Sequence, residues 1–401
     1  MSSQFNPNTI TEIQKAMLEY NVDGWLFYDF WKANSFAQKI LKMPSHIVQS
    51  RRFFYLIPKS GEPKKLLHNI EQFNLDHLPG AKQTYVSWKS GDEGLRWLLQ
   101  GMKTVAMEYS PMNAIPYVSK VDAGTIERVK NCGVNIVSSA DLAQYFDARW
   151  NDEQLRDNLE VSKVLRQTVD DTFAFMREKI KAKQRITEYD VQQFMLSIFK
   201  KHDYYTEFDP NCSVNANSAN PHYEPTKEIH SELHENDFVL IDLWAKKNKP
   251  GATYGDITWV GFLGSSVPEK YVKVFNVVAG ARDAAFAFVE NAFANKKKIR
   301  GCDVDDVSRN YIVERGYGEY FVHRTGHSIT EDLHGTGAHI DNLETHDERL
   351  IIPETSFSIE PGVYLPGDFG IRSEVDVFIT KDGNVMVTGE PRQKEMIAIL
   401  K

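Results

Sequence analysis

Ile241-Asp242-Leu243, Tyr254-Gly255-Asp256-Ile257-Thr258, His323-Arg324-Thr325-Gly326-His327, Ser358-Ile359-Glu360-Pro361-Gly362 and Ile371-Arg372-Ser373-Glu374 fall within residues 237–374, and their reading decides both fold and chemistry. Four of these segments are strand-like and carry an acid, while the His-rich one runs on to His334. Four carboxylates and a histidine on separate strands suit a pair of divalent cations bound mostly through oxygen. Mn²⁺ or Co²⁺ takes carboxylate with a little imidazole, with Zn²⁺ possible, whereas a structural zinc site would want thiolates. These residues alone predict a two-metal hydrolase.

Around them the pattern is that of alternating cores. Asp237-Phe238-Val239-Leu240-Ile241-Asp242 reads as a central strand ending in an acid. An acid at the end of a buried strand is destabilising unless it is paired or bound to metal. Asp256 and Thr258 share a strand face, so the hydroxyl is expected to orient that carboxylate; the same parity relates Glu374 to Asp376. Upstream, an apolar stripe from Leu155 and Leu159 through Val161, Leu165, Val169 and Phe173 to Met176 predicts a long helix over 152–185. Thr187 is the expected N-cap of a second helix reaching residue 202, with Val191, Phe194, Met195, Ile198 and Phe199 buried. Helices are also expected over 269–293 and 304–315, among short strands and Gly-rich turns of antiparallel texture.

Before residue 145, helices and strands alternate. A helix over 9–20 carries a Thr9/Glu12 capping box, and strands are expected at 25–28, 52–57, 65–67, 104–107 and 134–137. Helical stretches fall at 93–99 and at 126–130. The expected organisation is a smaller α/β domain at residues 1–150 followed by an α+β domain at 151–401, with the long helix at the boundary.

A net charge of −8 gives no reason to expect nucleic acid or an anionic membrane as partner. Met1-Ser2-Ser3-Gln4 lacks the basic and apolar regions of a secretory signal, and no apolar run approaches the ~18 residues of a membrane helix. Cys132, Cys212 and Cys302 are scattered singly, as in a reducing compartment. The expectation is a soluble cytoplasmic protein.

The order Asp, Asp, His, Glu, Glu, with Gly326-His327-Ser328-Ile329, Ile359-Glu360-Pro361-Gly362-Val363-Tyr364 and Gly370-Ile371-Arg372-Ser373-Glu374, resembles the creatinase/methionine aminopeptidase superfamily. Within it the chain looks like the Xaa-Pro aminopeptidases and prolidases over nearly its whole length. The resemblance implies an α/β N-terminal domain and a "pita-bread" catalytic domain. It implies that Asp242 chelates one cation, that Asp256 and Glu374 bridge two, and that His327 and Glu360 complete the second. It further implies a nucleophilic water or hydroxide between the ions, with Glu360 as general base and His334 polarising the scissile carbonyl. His222 and His323 match histidines that contact substrate near the bond to proline. Arg372 matches an arginine beside the bridging glutamate, able to anchor Asp256 or Asp242 through a bidentate pair. A small peptide substrate and a homodimer follow from the same likeness.

Three departures stand out. Asp242 is followed by Leu243-Trp244 where a small pair is usual, and fourteen positions separate it from Asp256, with Lys246-Lys247-Asn248-Lys249-Pro250-Gly251 as the insert. Trp259-Val260 follows Thr258 in place of Arg-Thr, and Val375 replaces the acid usual after Glu374. All five ligands survive, which favours a peptidase acting before proline. The alternatives are a hydrolase of a non-peptide C–N bond on the same scaffold, for which Trp244 and the insert leave room, and a non-enzymatic binding protein, which would have lost ligands.

Overall fold

The computed structural model describes residue 6 and residues 8–401; Met1-Ser2-Ser3-Gln4, on which the reading of a leader rests, lies outside the described residues. The chain divides into two compact units, Met1–Asp147 and Ala148–Lys401. The first contains α1 (Asn8–Tyr20), β1 (Gly24–Asp29), α2 (Ser35–Ile40), β2 (Phe53–Pro58), β3 (Lys64–His68), β4 (Ala81–Tyr85), α3 (Trp88–Leu98), β5 (Thr104–Met107), α4 (Ala123–Lys130), β6 (Asn135–Ser138) and α5 (Ala140–Asp147). The strands form one mixed sheet in the order β4-β3-β2-β1-β5-β6. Trp25-Leu26-Phe27-Tyr28 is apolar without a break because both faces of the sheet are covered. Trp25 and Phe27 pack in one cluster with Phe36 and Ile13, and Leu26 and Tyr28 in the other with Leu95 and Ile126.

Three elements of this unit depart from expectation. β4 is a polar edge strand, so no apolar run announces it. α2 and α5 are short helices that sequence periodicity leaves unmarked. Thr9 lies inside α1 rather than capping it; the Asn6 side chain instead accepts from the Asn8 amide.

The second unit opens with α6 (Asp152–Lys181), capped by Asn151 and Gln154, and α7 (Glu188–Lys201), capped by Thr187 as expected. Leu155, Leu159, Phe194 and Ile198 are only half-buried. β7 (Tyr204–Tyr205), β8 (Asn211–Val214), β9 (Phe238–Lys247) and β10 (Gly255–Phe262) follow, then α8 (Glu269–Ala294), α9 (Gly301–Val313) and β11 (Ser328–Ile329). The chain closes with β12 (Ser356–Ile359), β13 (Gly362–Leu365), β14 (Phe369–Arg372), β15 (Val375–Ile379), β16 (Val385–Val387) and β17 (Ile397–Ala398). One sheet contains β17-β10-β9, with β8 and β7 sharing the far edge of β9; a second runs β11-β12-β15-β16; β13 and β14 form a hairpin.

The acids owe their place to the period of two. On β9, Val239, Ile241, Leu243 and Ala245 point to the core under α6 and α7, while Phe238 and Leu240 pack on the opposite side against α8. Asp242 and Trp244 continue that second row beyond the reach of the α8 core, and Asp256 and Thr258 continue the row of Val260 and Phe262 on β10. Asp242 is therefore mid-strand, not the terminal residue expected, because β9 runs on to Lys247 beside β7. The basic insert at the β9–β10 turn is pinned to α6. Lys247 Nζ lies 3.0 Å from Asp157 and 2.5 Å from Glu160, and Lys249 Nζ lies 2.6 Å from Asp157 and 2.8 Å from Glu153. Among the described residues no helix is long and apolar enough to cross a membrane.

Candidate metal centre

Antiparallel register sets Thr258 directly across from Asp242, and Asp256 across from Trp244. Thr258 Oγ1 is 2.9 Å from Asp242 Oδ1 and 2.7 Å from Glu374 Oε2, so its one proton serves either carboxylate, and neither is the Asp256 that parity alone suggested. Asp256 is oriented instead through its backbone, whose amide donates to Asp376 Oδ2 at 2.7 Å. Glu374 enters from the link between β14 and β15, next to Ser373, whose hydroxyl accepts from buried Arg282 at 2.6 Å.

His327 and Glu360 arrive by a different route. The backbone of residues 325–327 lies against that of 358–360, with Ser358 N–H donating to His327 O and Glu360 N–H to Thr325 O. Gly326 permits this approach: a Cβ there would stand 1.9 Å from the Ser358 carbonyl oxygen. The His327 amide donates to Ser358 Oγ, which in turn donates to Glu360 Oε1 at 3.1 Å. Nδ1 of His327 faces the Ser328 carbonyl, which can only accept, so the proton sits on Nδ1. Nε2 then presents a lone pair 3.3 Å from Glu360 Oε1 and 3.6 Å from Asp256 Oδ2.

One ligand atom each from Asp256, His327 and Glu374 lie within 4.8 Å of one another, and all three residues are buried. Asp256 Oδ1 and Glu374 Oε1 are buried without a hydrogen-bond partner. Burial first, and then the neighbouring carboxylates, pushes the carboxyls of Asp256 and Glu374 well above their ordinary range. Burial likewise lifts Glu360 to about 7 and holds His327 neutral. A neutral imidazole lone pair among crowded acids with orphaned oxygens needs positive charge from elsewhere.

Arg372 supplies part of it. Its Nη2 bonds Asp242 Oδ2 through a single contact, its Nε donates to Thr258 Oγ1 at 3.1 Å, and its Nη1 donates to the Tyr364 hydroxyl at 3.1 Å. The fork is thus spread over three residues and makes no bidentate pair with Asp242 or Asp256. His323 stands behind it: Nδ1 faces the Arg324 carbonyl at 2.6 Å, and Nε2 lies 2.8 Å from the Tyr364 hydroxyl. Burial lowers His323 to about 3, so the ring is neutral with its proton on Nδ1, and Tyr364 donates to Nε2. His323 and Tyr364 prop the guanidinium of Arg372 and, unlike it, do not line the cavity.

That cavity, about 300 Å³, is lined by Asp242, Asp256, His327, Glu360, Arg372 and Glu374, and also by His222, His334, Asn211, Trp244 and Tyr223. His334 packs edge-on to His327 with ring centroids 4.3 Å apart, and desolvation lowers it to about 4. His222 is exposed at the rim. Its loop is held by Glu188, which accepts from the Tyr223 hydroxyl at 2.5 Å and the Ser231 amide at 2.6 Å. The structure lines one cavity with all five residues expected to be ligands, Asp242, Asp256, His327, Glu360 and Glu374, together with His222 and His334. Sequence reasoning assigned no role to Tyr364, Glu188 or Asn211; Tyr364 stands inside a motif segment, while Glu188 and Asn211 give no periodic or compositional signal.

Residues 160–381 match the profile of metallopeptidase family M24, more than half of the chain. The chain belongs to metallopeptidase family M24. Among similar M24-type proteins, the Xaa-Pro dipeptidase of Lactobacillus delbrueckii subsp. lactis is 29% identical over 200 residues, 48% of each chain. The chain spans about half the length of the first curated relatives it matches (48% and 55%). The prolidase of Pyrococcus horikoshii superposes with a TM-score of 0.61 at 20% identity, covering 97% of this chain and 100% of that one. The X-prolyl aminopeptidase of Caenorhabditis elegans, a cytosolic enzyme with a di-nuclear active site, gives 0.64 at 16% identity, covering 98% and 63%. These likenesses identify the M24 fold, a pita-bread domain preceded by a smaller α/β domain. Membership in M24 implies divalent metal ions, and the residues present fit them: oxygen donors with one imidazole, and buried carboxylate oxygens lacking any other partner.

Proposed function

We propose that this chain is a metal-dependent peptidase that hydrolyses the bond preceding proline, in Xaa-Pro dipeptides or at the N-terminus of longer peptides. Residues 151–401 form its catalytic domain and residues 1–150 its accessory α/β domain. The observation that carries the reading is the convergence of Asp256, His327 and Glu374 with unpartnered carboxylate oxygens inside a lined cavity. Asp242, Asp256, His327, Glu360 and Glu374 would hold two divalent cations, Mn²⁺ or Co²⁺ in preference to Zn²⁺. When bound, such cations supply Lewis acidity, bringing the pKa of a water toward neutrality and polarising a carbonyl.

The remaining work falls to the chain's own side chains. Glu360 takes the proton from the attacking water on its carboxylate and returns it to the departing imide nitrogen. His334 donates toward the oxygen of the scissile carbonyl as it gains charge. Proline offers no amide N–H, so the site must hold its ring by shape and by side chains such as His222 and Tyr223 at the rim. Arg372, propped by Tyr364 and His323, keeps Asp242 and Thr258 in place.

The test is a panel of Ala-Pro, Ala-Pro-Ala and Ala-Ala offered to metal-stripped protein resupplied with Mn²⁺, Co²⁺ or Zn²⁺. Cleavage of the dipeptide alone selects a prolidase, and cleavage of the tripeptide an aminopeptidase. No cleavage of any of the three under any metal overturns the reading. A cytoplasmic location and a homodimer belong to the same proposal; sedimentation at the mass of one chain would remove the dimer.

A further inference from the structure

One wall of the cavity is unexplained by cation binding. Asn211 on β8 is paired in register with Asp242 on β9, and side chains directly opposite in an antiparallel pair point to the same face. Asn211 is only 5% exposed, lines the cavity, and has a buried Oδ1 with no hydrogen-bond partner. Two residues further along that face of β9, Trp244 also lines the cavity, and its Nε1 is likewise buried without a partner. Trp244 is the residue that departs from the small pair expected after the first aspartate. An indole N–H can only donate, and a carboxamide oxygen can only accept. Left unmet, both groups keep the full desolvation penalty of burial. The complementary ligand must therefore accept at one point of this wall and donate at another.

A primary carboxamide does both. We propose that Asn211 and Trp244 form the pocket for the side chain of the substrate's first residue and select a carboxamide there over an aliphatic side chain. The assignment rests on the peptidase reading. The free amine of a peptide is drawn to the carboxylate wall, and Asn211 stands directly across from Asp242 in that wall. The proline end is left to His222, Tyr223 and His334, which line the same cavity.

Asparaginyl-proline and leucyl-proline are near-isosteres and make the decisive pair of probes, with the full chain loaded with Mn²⁺. The wild-type protein is expected to favour Asn-Pro in kcat/KM by about tenfold or more, since a site built to hydrogen-bond rejects the analogue that leaves its groups unpaired. Asn211→Leu is expected to invert that ratio, and Trp244→Phe, which keeps an aromatic side chain but removes the N–H donor, to shrink it. A wild-type preference for Leu-Pro, or a ratio unmoved by both substitutions, overturns the proposal, since two groups merely hydrated by cavity water would behave that way. Ala-Pro cleavage by the wild-type protein reports separately on the peptidase reading. Should no dipeptide be cleaved, calorimetry decides the pocket on its own: tighter binding of Asn-Pro than Leu-Pro, lost in Asn211→Leu, supports it, and equal binding overturns it.

Discussion

Buried carboxylates occur in two kinds within the Ala148–Lys401 unit. Glu188 accepts from the amides of Val214 and Ser231, from Asn217 and from the Tyr223 hydroxyl. Asp305 takes Arg309 on both oxygens and the amide and hydroxyl of Thr325, and Asp347 takes Arg349 and the His339 amide. Every oxygen of these acids has a donor. Asp256, Glu374 and Asp376 are also buried, yet each keeps one oxygen with no donor among the described residues. The first kind of site is closed by the fold itself. The second keeps acceptors that only a proton or something positive would answer, a difference that burial alone does not reveal.

The largest expected effect sharpens this difference from the ligand side. Asp256→Asn should lower kcat/KM on Ala-Pro by ~10³-fold or more, because metal-borne stabilisation of the transition state is worth several kcal/mol. The same substitution should raise the melting temperature of the metal-stripped protein, since it removes a carboxyl that burial and its acidic neighbours keep from ionising. A metal-stripped variant that melts lower than the wild type would break the comparison. Glu188→Ala tests the other side. It strands two backbone amides and a tyrosine hydroxyl, and should destabilise the fold by ~3 kcal/mol or more whether or not metal is present, read by denaturant unfolding. Equal stability would show that its partners are readily hydrated.

Thr258→Val comes next. Its hydroxyl touches Asp242 and Glu374 at once, so metal affinity by calorimetry should fall ~10–100-fold with the fold intact, as is usual when a group orienting a ligand is lost. An unchanged affinity would leave the hydroxyl a purely structural role.

Thr258 also marks the limit of what the sequence discloses. The acids and the histidine that line the cavity were legible in their order, because acids interrupting apolar strands are conspicuous and Gly326 beside His327 signals a close approach. Which acid the hydroxyl serves was not. Residues two apart on a strand lie ~7 Å from each other, whereas a residue directly across lies ~5 Å away, so register outranks parity, and register is a tertiary fact. The same holds for Arg372, whose fork is divided among Asp242, Thr258 and Tyr364 by strands distant in the chain. Strands covered on both faces, such as β1 and β9, were visible as apolar runs; the polar edge strand β4 was not, for want of a face to bury.

The smallest effect is in pH, and its sign follows from which groups hold protons. In the metal-stripped protein the carboxyl of Glu360 is raised from 4.5 to about 7, and those of Asp256 and Glu374 further still. A raised carboxyl stabilises the folded state fully below its unfolded value and loses that stabilisation as pH climbs through its folded value. His323 and His334, lowered to about 3 and about 4, act oppositely: they oppose folding below their unfolded value of 6.5 and make no difference above it. The two trends offset each other in mildly acidic solution, and above it only the carboxyls remain. The melting temperature of the metal-stripped protein should therefore fall as pH rises above about 6.5. Asp256→Asn, which removes one of the raised carboxyls, should flatten that slope. Saturating Mn²⁺ should reverse the trend, since cation affinity grows as the ligands give up their protons. A slope identical in the wild type and Asp256→Asn would mean that the orphaned oxygens carry no proton, and that the two kinds of buried acid differ in geometry alone.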